Sequence, residues 1–324
     1  MVQERNSVPH RGGAAAAAIL ALSFLLLSAC QEDGRRHGVA AEQAKSVRRT
    51  DHFQSLVAGD KTLVAVGSFG VVASSTDGGT TWKRTELADG APLVRVAACG
   101  DGSLVALDFS GKIWRAPADA SGWTASPLPP ADAVLDTTCT TDNRIWVAGA
   151  RGLLLVSGDG GKTWAEKSLA EDLQLLNVQF PTVSFGVVSG EFGRVLITRD
   201  GGANWSQGGS LGEDFYPQAM HFENDRRGLV VGLGGAVLET RDGGESWTRT
   251  AAPVEAPLYG VLAVPGDEAV AVGAAGTAAR LAGGVWTRIA GLPMTDLRGI
   301  AATPAGVMLA GTGALLPLPA APAD

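Results

Sequence analysis

Short apolar runs recur along the chain, each ended by a glycine-centred turn. Leu63-Val64-Ala65-Val66-Gly67 and Val71-Val72-Ala73-Ser74 are the first pair, joined by Gly67-Ser68-Phe69-Gly70. Runs this short, bounded by turn residues, predict β-strands rather than helices. After each pair comes a polar octet, Ser/Thr-x-Asp-Gly-Gly-x-x-Trp. It stands at Ser75 to Trp82, Ser157 to Trp164, Thr198 to Trp205 and Thr240 to Trp247. The octet predicts a tight hairpin into a fourth strand. Its aspartate accepts backbone N–H bonds, its glycines take positive φ, and its indole needs a neighbour to bury it. Trp82, Trp123, Trp164, Trp205, Trp247 and Trp286 are spaced by 41, 41, 41, 42 and 39 residues. A period of about 40–45 residues built from four strands predicts a β-propeller, one blade per repeat.

Taken in order, the blades run Phe53 to Leu87, Leu93 to Leu128, Val134 to Leu169, Leu173 to Leu211, Phe215 to Ala252 and Leu258 to Ile289. Leu297 to Leu318 supplies two or three strands of a seventh blade with no tryptophan. The expected fold is therefore all-β, a seven-bladed propeller of four-stranded antiparallel blades. Six blades with a packed tail after Leu292 is the alternative. Glu42 to Thr50 is the candidate strand that would complete the last blade and remove its free edge. The chain divides into a leader (1–29), an anchor and tether (30–50), the propeller (51–318) and a tail (319–324).

The leader has Arg5 and Arg11 ahead of an apolar stretch from Ala14 to Leu27, too short to span a bilayer comfortably. It ends in Leu27-Ser28-Ala29-Cys30, which resembles the lipobox of bacterial lipoproteins. That resemblance implies cleavage before Cys30, lipid on Cys30, and a periplasm-facing protein. Gln31 in the sorting position favours the outer membrane. The net charge is −7, and loss of Arg5, Arg11 and Glu4 with the leader makes the remainder one charge more negative. An acidic chain of this kind is not a nucleic-acid binder, and only its lipid would hold it to a membrane. Cys99 and Cys139 fall one residue out of phase in adjacent repeats. Two readings stand: a disulfide between inner strands, or two buried small hydrophobes facing opposite ways.

Strand direction places every Asp-box hairpin on one face. Asp77, Trp82, Asp159, Trp164, Asp200, Trp205, Asp242 and Trp247 are read as structural. The opposite face collects Phe69, Phe109, Lys112, Arg151, Phe192 and Arg194, three aromatics beside three cations. Two readings stand for them as well: a protein-contact patch, or phenylalanines tucked under their own turns. Ser55, Arg95, Asp136, Asn177 and Gln218, with Gly260 and Gly299, share one phase in the innermost strands and are expected to line a wet central channel. No metal-ligand cluster, nucleophile elbow or dinucleotide fingerprint is present. The expectation is no enzyme activity, no metal and no cofactor.

The Asp-box is the BNR repeat of bacterial sialidases and of many non-enzymatic propellers. Here Val-x-Val-Gly-x-x-Gly pairs with Leu-x-Thr-x-Asp-Gly-Gly-x-x-Trp. Together with the leader, this pairing is similar to the photosystem II stability/assembly factor family. Gly186 to Gly202 is the nearest stretch and Gly228 to Gly244 the next; the resemblance covers residues 50–316. It implies a non-catalytic, lipid-anchored scaffold that binds an envelope or membrane protein, with an accessory role at an envelope transporter as one concrete form. The alternative is a carbohydrate-active propeller, sialidase-like or lectin-like, working at the channel mouth. Against catalysis, no Arg-Ile-Pro motif occurs, and the only tyrosines are Tyr216 and Tyr259.

Overall fold

Each predicted run pairs with its sequence neighbour, giving seven antiparallel sheets in a computed structural model that describes residues 38–169, 172–250 and 252–319. Cys30 and the leader lie outside the described residues. Blade 1 is Phe53–Ala58, Leu63–Gly67, Val71–Ser75 and Lys83–Glu86, hydrogen-bonded in that order. Blades 2 to 6 repeat the plan. Their innermost strands are Leu93–Ala98, Val134–Cys139, Leu175–Gln179, Pro217–Phe222 and Leu258–Val264. Blade 7 has three strands, Leu297–Thr303, Gly306–Gly311 and Ala314–Pro317. All of this lies within one compact unit that begins at Ser46.

The second strand of every blade is apolar on both sides because both sides of the sheet are covered. Val64, Val66 and Val72 pack on Leu93, Val96 and Leu104 of blade 2. The alternate residues Leu63, Ala65, Val71 and Ala73 pack on Ala301, Met308 and Ala310 of blade 7. One such cluster lies at each of the seven blade interfaces, and the blade 7–blade 1 cluster closes the ring. Burying one such side chain contributes about 1.5–3 kcal/mol, so the interfaces hold the ring together.

The Asp-boxes staple these interfaces. Asp77 Oδ1 accepts from Ser75 Oγ at 2.7 Å and Thr81 N at 2.9 Å, and Oδ2 accepts from Thr81 Oγ1 at 2.6 Å. The Trp82 indole donates to Gly79 O at 3.1 Å and packs at the blade 7–blade 1 interface. Asp159, Asp200 and Asp242 repeat the carboxylate contacts, and Trp164, Trp205 and Trp247 pack toward the preceding blade as Trp82 does, without its indole hydrogen bond. In blade 6, which lacks the aspartate, Gly283 and Gly284 take φ of 57° and 79° between paired Ala282 and Val285. Two consecutive positive φ values make the primed hairpin turn that matches strand twist.

Hydrogen bonds hold the Asp77, Asp200 and Asp242 carboxyls down to about 2, and Asp159 lower still. The unfolded chain therefore binds more protons than the native one between about pH 4 and pH 2. Stability from these turns is complete above pH 4 and is lost as pH falls toward 2. His221, on the inner strand of blade 5, is pushed down to about 4 by burial, with Arg95 and Arg227 adding. It costs stability in the same direction, but between pH 6.5 and 4. Equilibrium urea unfolding across pH should show a shallow decline below pH 6.5 and a steep one below 4. His221→Gln should remove the first step and leave the second.

One expectation changes, and one open reading is decided. Residues 42–50 do not complete the last blade: 38–43 are helical and 46–50 are bends and turns. That stretch is polar, and within it Val47 packs on the closing cluster. The blade 7–blade 1 seam is bonded instead by Gly313 N to Asp51 O at 2.7 Å and by a bridge between His52 and Thr312. Cys99 and Cys139 form a disulfide between blades 2 and 3, with Cα atoms 4.9 Å apart. Their one-residue offset favours the bond. Adjacent blades meet through opposite faces of equivalent strands, so out-of-phase side chains are the ones that face each other.

Candidate functional site

Up-and-down strand order puts all second-to-third turns and all blade-to-blade links on one face. The tips of those turns carry Phe69, Phe109, Arg151, Phe192 and Leu233. Phe69, Phe109 and Phe192 are about 70% exposed: 69%, 70% and 68%. They do not tuck under their turns. Phe69, Arg151 and Phe192 each sit at φ 56°, in the left-handed region, where Gly234 of blade 5 sits at 62°. An L-residue there costs about 1–2 kcal/mol against a glycine that pays nothing. Phenylalanine has no polar group to offset that cost, so its value lies in what the ring presents outward.

Leu233 at 53% and Met294 at 89% exposure extend this apolar crown; Met294 is in the link between blades 6 and 7. Sequence reasoning missed both, although each occupies a turn or link already assigned to this face. The cations of the predicted patch differ from expectation in being engaged already. Lys112 pairs with Asp89, and Arg151 Nε lies 2.6 Å from Asp132. Arg194 is half-buried at the base of its turn, where its backbone N–H donates to Glu191 O at 3.1 Å. The chain enters the propeller on this same face, where Ser68 N donates to His52 O at 3.1 Å.

The central channel is a cavity of about 440 Å³ walled by the seven inner strands. Ser55, Arg95, Asp136 and Asn177 line it, with Gly260 and Gly299. Gln218 does not line it. Ala219 occupies the equivalent position: it follows the β-bulge that every blade carries at this place, and it stands 28 residues before Trp247 as Asn177 does before Trp205. Nor are the polar residues there mainly to meet water: Ser55, Asp136 and Asn177 are each only 3% exposed. An innermost strand has no partner strand on its channel side, so its N–H groups must be satisfied from elsewhere. Ser55 Oγ accepts from Val96 N at 3.2 Å, and Asp136 Oδ2 from Val178 N at 2.8 Å. Gln179 Oε1 accepts from Phe222 N at 2.7 Å, and His221 Nδ1 from Ala263 N at 3.2 Å. In each case one blade caps the edge of the next. Gln179, two residues beyond Asn177, could have been found by extending the alternation along the strand; His221, two residues beyond Ala219, was hidden by the misplaced phase of blade 5.

Arg95 Nε reaches Asp136 at 2.8 Å. Burial pushes the Asp136 carboxyl above the usual aspartate range, against the pull of Arg95 and the Val178 N–H. Across the cavity, Arg298 stacks over the Tyr259 ring at 4.1 Å. Among the described residues no group of His, Cys, Asp and Glu could hold a metal ion.

Residues 115–213 match the family model described as photosynthesis system II assembly factor YCF48. The similarity is to photosystem II assembly factors. The photosystem II assembly lipoprotein Ycf48 of Synechocystis sp. is 33% identical over 120 residues, 35% of this chain and 35% of that protein. The chain thus matches about a third of the length of that curated relative. A solved structure of YCF48 bound to D1 peptide has a TM-score of 0.70 at 15% identity, covering 84% of this chain and 94% of that one. A catalytically inactive virginiamycin B lyase from Staphylococcus aureus, with quinupristin, has a TM-score of 0.70 at 16% identity, covering 82% and 94%. At such identity these structures share the fold, and a fold that also carries an enzyme does not decide function. The segment matching the assembly-factor model includes the Asp159 and Asp200 boxes and the Arg151 and Phe192 turns.

Proposed function

We propose that this assembly-factor-like propeller is a non-catalytic scaffold that holds a segment of an envelope protein on its turn face. Lipid on Cys30 would keep it at the outer membrane, facing the periplasm; service to an envelope transporter is one form this role would take. The observation that carries the reading is the set of phenylalanines exposed at the turn tips, two of them at the expense of backbone strain. A rigid ring presents such anchors at little ordering cost on binding. The Cys99–Cys139 disulfide supports an oxidising compartment. The similarity to a relative named a lipoprotein, and to one solved with a bound peptide, supports an anchored peptide-holding role.

The test is capture from detergent-solubilised envelopes on three baits. These are wild type, Phe69→Ala/Phe109→Ala/Phe192→Ala, and a control altered on the opposite face, Val183→Ala/Val285→Ala. A partner retained by wild type and control and depleted by the triple variant is expected. Equal recovery on all three contradicts the assignment of the face. Binding to glycans that is lost in Arg95→Ala, with no protein partner, would favour the carbohydrate reading instead.

A further inference from the structure

The turn face has a second, electrostatic pattern that says what kind of segment it fits. Each of the six blade-to-blade links carries a carboxylate: Asp89, Asp132, Asp172, Glu213 with Asp214, Glu255 and Asp296. Three are paired, Asp89 with Lys112, Asp132 with Arg151 and Asp296 with Arg298. The other four, Asp172, Glu213, Asp214 and Glu255, are exposed, and no described cation lies within ion-pair distance of them. They fall in consecutive links, from blade 3 through blade 6. The tips between them are Phe192 and Leu233, both exposed. In the same sector Leu211, Phe215, Tyr216, Leu233 and Ala236 wall a cavity of about 280 Å³ with Glu213, Asp214 and Arg249 at its edge, the guanidinium beyond ion-pair distance of both carboxylates. Apolar anchors and unpaired carboxylates therefore alternate around one side of the crown.

We propose that the blade 4–blade 5 sector of this face docks a cationic, apolar segment of a protein partner, with Lys or Arg side chains meeting Asp172, Glu213, Asp214 and Glu255. Its apolar side chains would meet Phe192 and Leu233, one of them entering the cavity beside Tyr216. The proposal rests on the scaffold reading and adds the partner's chemistry to it. Charge complementarity selects the occupant. An acidic segment, or an anionic lipid surface, would face a surplus of carboxylates, four against Arg249 at the cavity edge, and like charges in contact are a strong selector against a partner.

The test is fluorescence anisotropy with three labelled peptides: an amphipathic Lys/Leu peptide, the same peptide with Glu for Lys, and the same with Ser for Leu. Each is titrated with wild type, with Glu213→Gln/Asp214→Asn/Glu255→Gln, with Phe192→Ser/Leu233→Ser, and with a control neutralised on the Asp-box face, Asp60→Asn/Glu166→Gln/Asp225→Asn. All substituted side chains are exposed, so the variants are expected to fold as wild type; circular dichroism checks this. The Lys/Leu peptide should bind wild type and the control alike. Binding should weaken about tenfold in the carboxylate variant, the size expected for three rim charges. It should also weaken in the Phe192/Leu233 variant, and at about 1 M salt, where screening acts over roughly 3 Å. The Glu and Ser peptides should bind at least tenfold more weakly. Equal binding of the Lys and Glu peptides, equal loss in the control, or no loss in either face variant would overturn the proposal. So would binding of wild type to vesicles containing anionic lipid in preference to the peptide. If envelope capture depends on the phenylalanines while the peptide result is negative, this inference falls and the scaffold reading stands; if capture is indifferent to them, the scaffold reading falls as well.

Discussion

Trp146→Ala is expected to destabilise the propeller by about 3–5 kcal/mol, the range for truncating a fully buried aromatic. Trp146 is 1% exposed and is the largest fully buried side chain among the described residues. Its ring stacks on Phe180 with centroids 4.8 Å apart and meets Trp205 edge-on at 6.0 Å. Gly202, the second glycine of the Asp200 box, leaves room for it: a Cβ there would lie 2.2 Å from the indole. The loss therefore empties the blade 3–blade 4 interface and removes the surface on which the next Asp-box seats its tryptophan. Chemical unfolding should show the lower midpoint. Trp146→Phe should recover part of the loss, because it refills part of the volume in a site shaped by rings.

Replacing both cysteines by serine is expected to cost roughly 4 kcal/mol, from the chain entropy that a 40-residue crosslinked loop removes from the unfolded state. The bond joins two blades whose inner strands otherwise meet by packing and side-chain caps. The reduced protein should therefore unfold at lower denaturant, and the wild type treated with reductant should match the double variant. Matching midpoints for oxidised and reduced wild type would show that the bond does not constrain the unfolded chain as argued. Cys99 is buried and Cys139 only half-exposed, so reduction should also be slow in the native state.

The repeat, the strand runs, the octets and their face were legible because each depends on local chemistry. Aspartate closes a turn within its own eight residues, and a recurring indole marks every repeat whatever lies between. What depends on neighbouring blades was harder to read. Counting 41 residues on from Asn177 points to Gln218, whereas this repeat spans 42 residues, as the Trp205–Trp247 spacing does, and puts Ala219 in the channel. Ser55 and Asp136 look like residues that meet water, until the next blade's unpaired N–H groups are considered. The cysteine offset leaves two readings open when parity is followed along one strand, and it is decided by the facing of adjacent blades, between which the bond forms. The need for an edge partner points to residues 42–50 as the closing strand, but apolar packing between blades 7 and 1 already closes the ring.

The candidate face was legible in position and in its phenylalanines, and less so in its charge. Arg151 and Lys112 are visible as cations in the sequence, while their partners Asp132 and Asp89 sit in links that carry no motif. Once those pairs are formed, the surplus on the face is acidic, and it lies beside Phe192 and Leu233 rather than beside Phe69.

The most direct measurement of the central claim is site-specific photo-crosslinking in intact cells, with a benzophenone side chain at position 192 on the turn face or at position 285 on the Asp-box face. Both positions are exposed, so reagent access is equal. The scaffold reading predicts a discrete protein adduct from position 192 and none from 285. An adduct from 285 alone, or the same products from both, would contradict it.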